Sequence, residues 1–82
     1  MVIVSFNPSF EKIFSKIKDK PLKDRIIKQF IKIKENPEIG KPMKYTRKGT
    51  REVYISPFRL SYIYLKEEEK LVFLDLYHKD EQ

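Results

Sequence analysis

The apolar residues of this chain keep one period through its first half and another through its second, and that change limits the fold more than any other feature. Phe10, Ile13, Phe14 and Ile17 recur at i, i+3, i+4 and i+7. Leu22, Ile26, Phe30 and Ile33 repeat at near-helical spacing, thickened by Ile27 and Ile31. Both patterns predict helices that bury one stripe. Asn7-Pro8 supplies an N-cap followed by proline at the first helical position. The first helix is expected to end near Lys20, and Pro21 restarts the second. Asn36-Pro37 stops it, because a residue before proline is pushed out of the α region.

From residue 51 onward the pattern is that of strands. Residues 51–55 (REVYI), 58–65 (FRLSYIYL) and 71–77 (LVFLDLY) are β-rich runs, divided by turns at Ser56-Pro57 and at residues 66–70. A β-branched run over residues 1–6 (MVIVSF) predicts a further strand ahead of the helices. Residues 37–50 carry both glycines and two prolines with no helical period, and read as an irregular connection. Two helices joined by so little chain form an antiparallel hairpin whose apolar faces need a partner, and the sheet supplies it. The expected order is β-α-α-β-β-β: an α+β fold with a two-helix hairpin packed on an antiparallel sheet, as one domain over residues 1–82.

Composition removes whole classes of chemistry. With no cysteine there is no disulfide framework, thiolate zinc site or cysteine nucleophile. His78 is the only histidine, so a histidine metal cage is excluded, and two glycines cannot build a glycine-rich nucleotide loop. No cofactor and no metal are expected. The longest apolar stretch, residues 71–74, is far short of a membrane span, and Glu11 and Lys12 interrupt any signal-like region. The expectation is a small cytoplasmic protein with no membrane partner.

Lysine and arginine outnumber aspartate and glutamate 18 to 12, a net charge of +6 that suits a polyanionic partner. The distribution matters more than the total. Lys41, Lys44, Arg47, Lys48 and Arg51 occur with no acid between them and with Tyr45 interleaved, whereas the helix lysines are diluted by Glu11, Asp19, Asp24 and Glu35. Such a segment attracts phosphates, and aromatic faces beside it stack on unpaired bases. These five cations, with Tyr54 on the strand that follows, are the candidate RNA-contacting residues. The plainer alternative is a solvated loop.

The last hairpin allows a geometric expectation. With residues 66–70 as its turn, paired residues have numbers summing to about 136. Arg59 then lies opposite or beside Tyr77 and His78, and Arg59, His78 and Lys79 are expected to converge at the open end. A guanidinium beside an imidazole, ringed by cations, suits phosphoryl transfer: the cations neutralise developing charge and the imidazole moves a proton near neutral pH. Against this stand a structural ion pair between Arg59 and Asp75, an ordinary surface role for His78, and packing roles for Tyr54, Tyr62, Tyr64 and Tyr77.

The ordered set of Gly40-Lys41-Pro42-Met43-Lys44, Phe58-Arg59-Leu60-Ser61-Tyr62 and Tyr77-His78-Lys79 resembles the RelE/ParE superfamily of type II toxin–antitoxin toxins, in its RelE branch, over essentially the whole chain. The resemblance implies a ribosome-dependent mRNA endonuclease that cleaves in the A site. Attack of the ribose 2′-hydroxyl on the adjacent phosphate needs no metal. It further implies Arg59 as the group stabilising transition-state charge, His78 as the proton-transfer group and Lys79 as a phosphate contact or second proton donor. The implied partners are a RelB-like antitoxin, the ribosome and mRNA. Two departures stand out. Glu52 and Tyr54 occupy strand positions where RelE enzymes often carry basic residues, and no tyrosine follows the final strand. A ParE-like gyrase inhibitor and a non-catalytic RNA- or ribosome-binding module are the alternatives.

Overall fold

Asn7 opens the first helix as its residue type predicts: its side-chain oxygen accepts from the Ser9 N–H at 2.9 Å, with Pro8 in the first turn. The computed structural model describes residues 2–42 and 49–78. Strand β1 (Ile3–Phe6) leads into helix α1 (Pro8–Ser15) and helix α2 (Lys20–Glu35). Short strand β2 (Lys41–Pro42), then β3 (Thr50–Ile55), β4 (Phe58–Leu65) and β5 (Lys70–His78) complete the order. Helix α1 stops well before Lys20. The Asp19 carboxylate caps α2, accepting from the Leu22 N–H at 3.2 Å, so the residues ahead of it serve the turn between helices.

The sheet has five strands in the order β1-β5-β4-β3-β2. The meander β3-β4-β5 is antiparallel, as expected. Strand β1 instead joins β5 in parallel, which makes the sheet mixed. Strand β2 pairs with β3 inside the segment read as irregular. Its two residues, one of them a proline, carry no periodicity that would announce a strand.

The two helices cover one face. Phe10 from α1 and Leu22, Ile26 and Ile33 from α2 are buried against Ile55, Leu60, Tyr62, Leu71, Phe73 and Leu76 of the sheet. Phe6, Phe10, Phe14, Phe30 and Phe73 form a cluster of ring contacts, the tightest between Phe30 and Phe73 at 4.6 Å. A register shift in the β4–β5 pair leaves Leu74 without an opposite residue. Strict alternation from Leu71 and Phe73 would turn Asp75 into the core. The extra residue turns Leu76 inward and sends Asp75 and Tyr77 to the far face.

Candidate functional site

At the open end of the last hairpin, partners run from Phe58↔His78 and Arg59↔Tyr77 to Ser61↔Asp75. These pairs follow the expected sum of 136, which drops to 135 beyond Leu74. Alternation then assigns faces. Glu52 and Tyr54 of β3, Arg59 and Ser61 of β4, and Asp75 and Tyr77 of β5 stand on the face away from the helices.

Three of these side chains make one polar unit. The Glu52 carboxylate, only 5% exposed, accepts from Arg59 Nη1 through Oε1 at 2.9 Å and from the Tyr77 hydroxyl through Oε2. Tyr54, half exposed, lies with its ring 5.9 Å from the Arg59 guanidinium. Arg59 itself keeps 37% of its side chain open to solvent. The Arg59 charge is met by Glu52 and not by Asp75, whose Oδ1 accepts from the Leu76 N–H at 2.8 Å. The ion pair anticipated within the sheet therefore exists with a different acid. Glu52 was legible only as an acid in an otherwise basic stretch, and Tyr77 only as a strand former.

The convergence of Arg59 with His78 needs correction. The two occupy adjacent rungs, so alternation turns them to opposite faces. His78 packs its ring edge-on to Phe58, 5.7 Å between centroids. Lys79 lies outside the described residues, as do Lys44, Arg47 and Lys48.

Arg51 and Lys41 complete the candidate set. Lys41 is exposed on β2, opposite Glu52. Arg51 turns toward the helix side, where Nη1 donates to the Glu38 and Gly40 carbonyls at 3.1 and 2.8 Å. Fully buried Tyr62 grips the same loop: its hydroxyl donates to the Pro37 carbonyl at 2.8 Å and accepts from the Gly40 N–H at 2.9 Å. Burial pushes the Tyr62 phenol above its ordinary pKa, against the opposing pull of the Gly40 N–H and the Arg51 charge. A Cβ on Gly40 would stand 2.5 Å from the Tyr62 hydroxyl, so glycine is needed there for close approach. Gly49, at φ +95°, turns the chain into β3 in the left-handed region. Among the described residues no three histidine or acidic side chains gather as a metal cage, and no helix is long and apolar enough to cross a membrane.

Comparisons with known proteins agree with this architecture. The family model described as the ParE toxin of the type II toxin–antitoxin system, parDE, matches residues 4–82. The YoeB/ParE toxin from Agrobacterium tumefaciens superposes with a TM-score of 0.84 at 15% identity, covering 94% of this chain and 98% of that one. The toxin of the intact Escherichia coli RelBE complex gives 0.82 at 15% identity over 95% and 96% of the two chains. The RelBE2 complex of Mycobacterium tuberculosis gives 0.81 at 23% over 95% and 98%. At these identities the likeness is one of fold. No protein of curated function matches by sequence.

Proposed function

The chain belongs to the ParE toxin family of type II toxin–antitoxin systems, and we propose that it halts growth as a ribosome-dependent mRNA endonuclease. In this reading the ribose 2′-hydroxyl attacks the adjacent phosphate of A-site mRNA, leaving a cyclic phosphate and a free 5′-hydroxyl, with no metal or cofactor. The observation that carries it is Arg59: a solvent-reaching side chain, held from behind by Glu52 and flanked by Tyr54, at the helix-free open end of the sheet. A fixed cation at that place stabilises the charge that develops on the attacked phosphate. Since His78 and Arg59 face opposite ways, the two do not serve one phosphate: Arg59 acts at the cleaved linkage, and His78 and Lys79 contact the RNA where it passes over the end of β4 and β5. Lys41, Lys44, Arg47 and Lys48 hold the RNA backbone, while Arg51 braces the segment leaving α2 through the Glu38 and Gly40 carbonyls. A RelB-like antitoxin with acidic and apolar faces covers this surface in the resting pair.

Primer extension on mRNA under translation in a purified system tests the reading. Breaks within A-site codons, absent without ribosomes and bearing 5′-hydroxyl ends, are expected. Arg59→Ala should cut about a hundredfold more slowly and relieve growth arrest while still binding antitoxin. Undiminished cleavage by that variant would remove Arg59 from the mechanism.

A second reading has its own support. The matching family model is the ParE one, and the Arg59 charge is met inside the protein by Glu52. A ParE-like toxin that blocks DNA gyrase would leave mRNA intact and inhibit supercoiling. Salt-dependent RNA binding without either effect would indicate a non-catalytic module.

A further inference from the structure

Glu52 is a buried acid in the middle of a sheet, and burial of a carboxylate is costly unless both oxygens find donors. Its neighbours supply them from two different strands. The residue directly across is Ser61, whose own cross-strand partner is Asp75. Arg59 and Tyr77 sit on the next same-face rung toward the open end, so Glu52 reaches both diagonally. Ser61, small and itself buried, leaves room for that reach. One carboxylate thereby ties β3, β4 and β5 together through Arg59 Nη1 and the Tyr77 hydroxyl. Arg59 Nε is buried without a hydrogen-bond partner, so the guanidinium is oriented through Nη1.

The geometry points to Glu52 as a positioning residue for Arg59, one that exchanges attraction for phosphate against a fixed direction of the guanidinium. The carboxylate cancels much of the field Arg59 sends toward an approaching RNA and so weakens capture. It also removes the rotational freedom of the guanidinium before substrate arrives, so no reorganisation is needed as charge develops. The kinetic half of this inference rests on the RNA-cleaving reading; the structural half does not.

The experiment compares wild type with Glu52→Gln and Glu52→Asp in two readouts. The first is kcat and KM for cleavage on programmed ribosomes. Glu52→Gln should lower kcat about tenfold or more, from lost placement, and lower KM as the Arg59 charge is released. Loss of folded protein alone would scale the rate and leave KM in place, and an unchanged kcat in folded Glu52→Gln would overturn the proposal. If Glu52→Gln does not fold, Glu52→Asp decides: it keeps the charge but shortens the reach, so kcat should fall with KM unchanged, and wild-type kcat would overturn the proposal. The second readout is side-chain 15N NMR of the isolated protein. Hindered rotation of the Arg59 guanidinium is expected in wild type and free rotation in Glu52→Gln. If wild type leaves mRNA intact, the RNA-cleaving reading fails and NMR alone decides the positioning claim: a freely rotating Arg59 in wild type refutes it, and a restrained one upholds it.

Discussion

Arg51 and Glu52 are adjacent on β3 and face opposite sides of the sheet, and each anchors an arginine–tyrosine group of its own. On the helix side, Arg51 and Tyr62 hold the backbone of the loop leaving α2. On the far side, Arg59 and Tyr77 are held by Glu52. The residue types match, but the partners differ. Backbone carbonyls bind Arg51 and Tyr62 into the fold, where the phenol is fully buried. The far-side group ends in an arginine whose side chain solvent still reaches. An arginine that serves backbone carbonyls is spent on stability, whereas one oriented by a carboxylate retains an outward edge for chemistry.

The strongest test of this division is Gly40→Ala. The added methyl would meet the Tyr62 ring and hydroxyl at 2.5 to 2.9 Å, and that ring is walled in by the core. A loss of about 3 kcal/mol in denaturant unfolding is expected. A loss below about 1 kcal/mol would mean that the loop can leave the clamp freely.

Tyr62→Phe should cost about 2 kcal/mol, because the Gly40 N–H and the Pro37 carbonyl lose their partner. It also carries a pH signature. The folded-state pKa of Tyr62 is raised, so its contribution is fully present below the unfolded value of about 10 and is lost as pH rises through the folded value. Unfolding midpoints between neutral and strongly alkaline pH should therefore fall less steeply for Tyr62→Phe than for wild type. Parallel curves would contradict the assigned burial.

Tyr77→Phe is expected to cost somewhat less, about 1.5 kcal/mol, because it strips one donor from the buried Glu52 carboxylate but leaves Arg59 in place. Equal losses for Tyr77→Phe and Tyr62→Phe in thermal denaturation would erase the distinction between the two groups.

Both helices and the three strands of the meander were legible because local periodicity and capping residues announce them. The register at the open end matches the expected sum of 136 only because Leu74 adds one residue to β5: beside the turn the sum is 135. The candidate site was legible only in part. Arg59 stands out in the sequence as a cation in an apolar strand, but the acid the sequence offers as an alternative ion-pair partner is Asp75 rather than Glu52. The physical obstacle is the unpaired Leu74: one extra residue rotates the rest of β5 by one face, and no local feature of LVFLDLY marks where it falls. The same shift helps bring Tyr77 beside Arg59, away from His78.

What the chain alone determined was the sequence of elements, because a helix or strand is written in the spacing of neighbouring residues. Tertiary structure decided the parallel seat of β1, the two-residue β2, the loop clamp on Gly40 and the union of Glu52 with Arg59 and Tyr77. Each of these depends on which segments meet across the sheet. Such pairings are selected by the burial of Leu76 rather than Asp75 and by the need to satisfy a carboxylate removed from water.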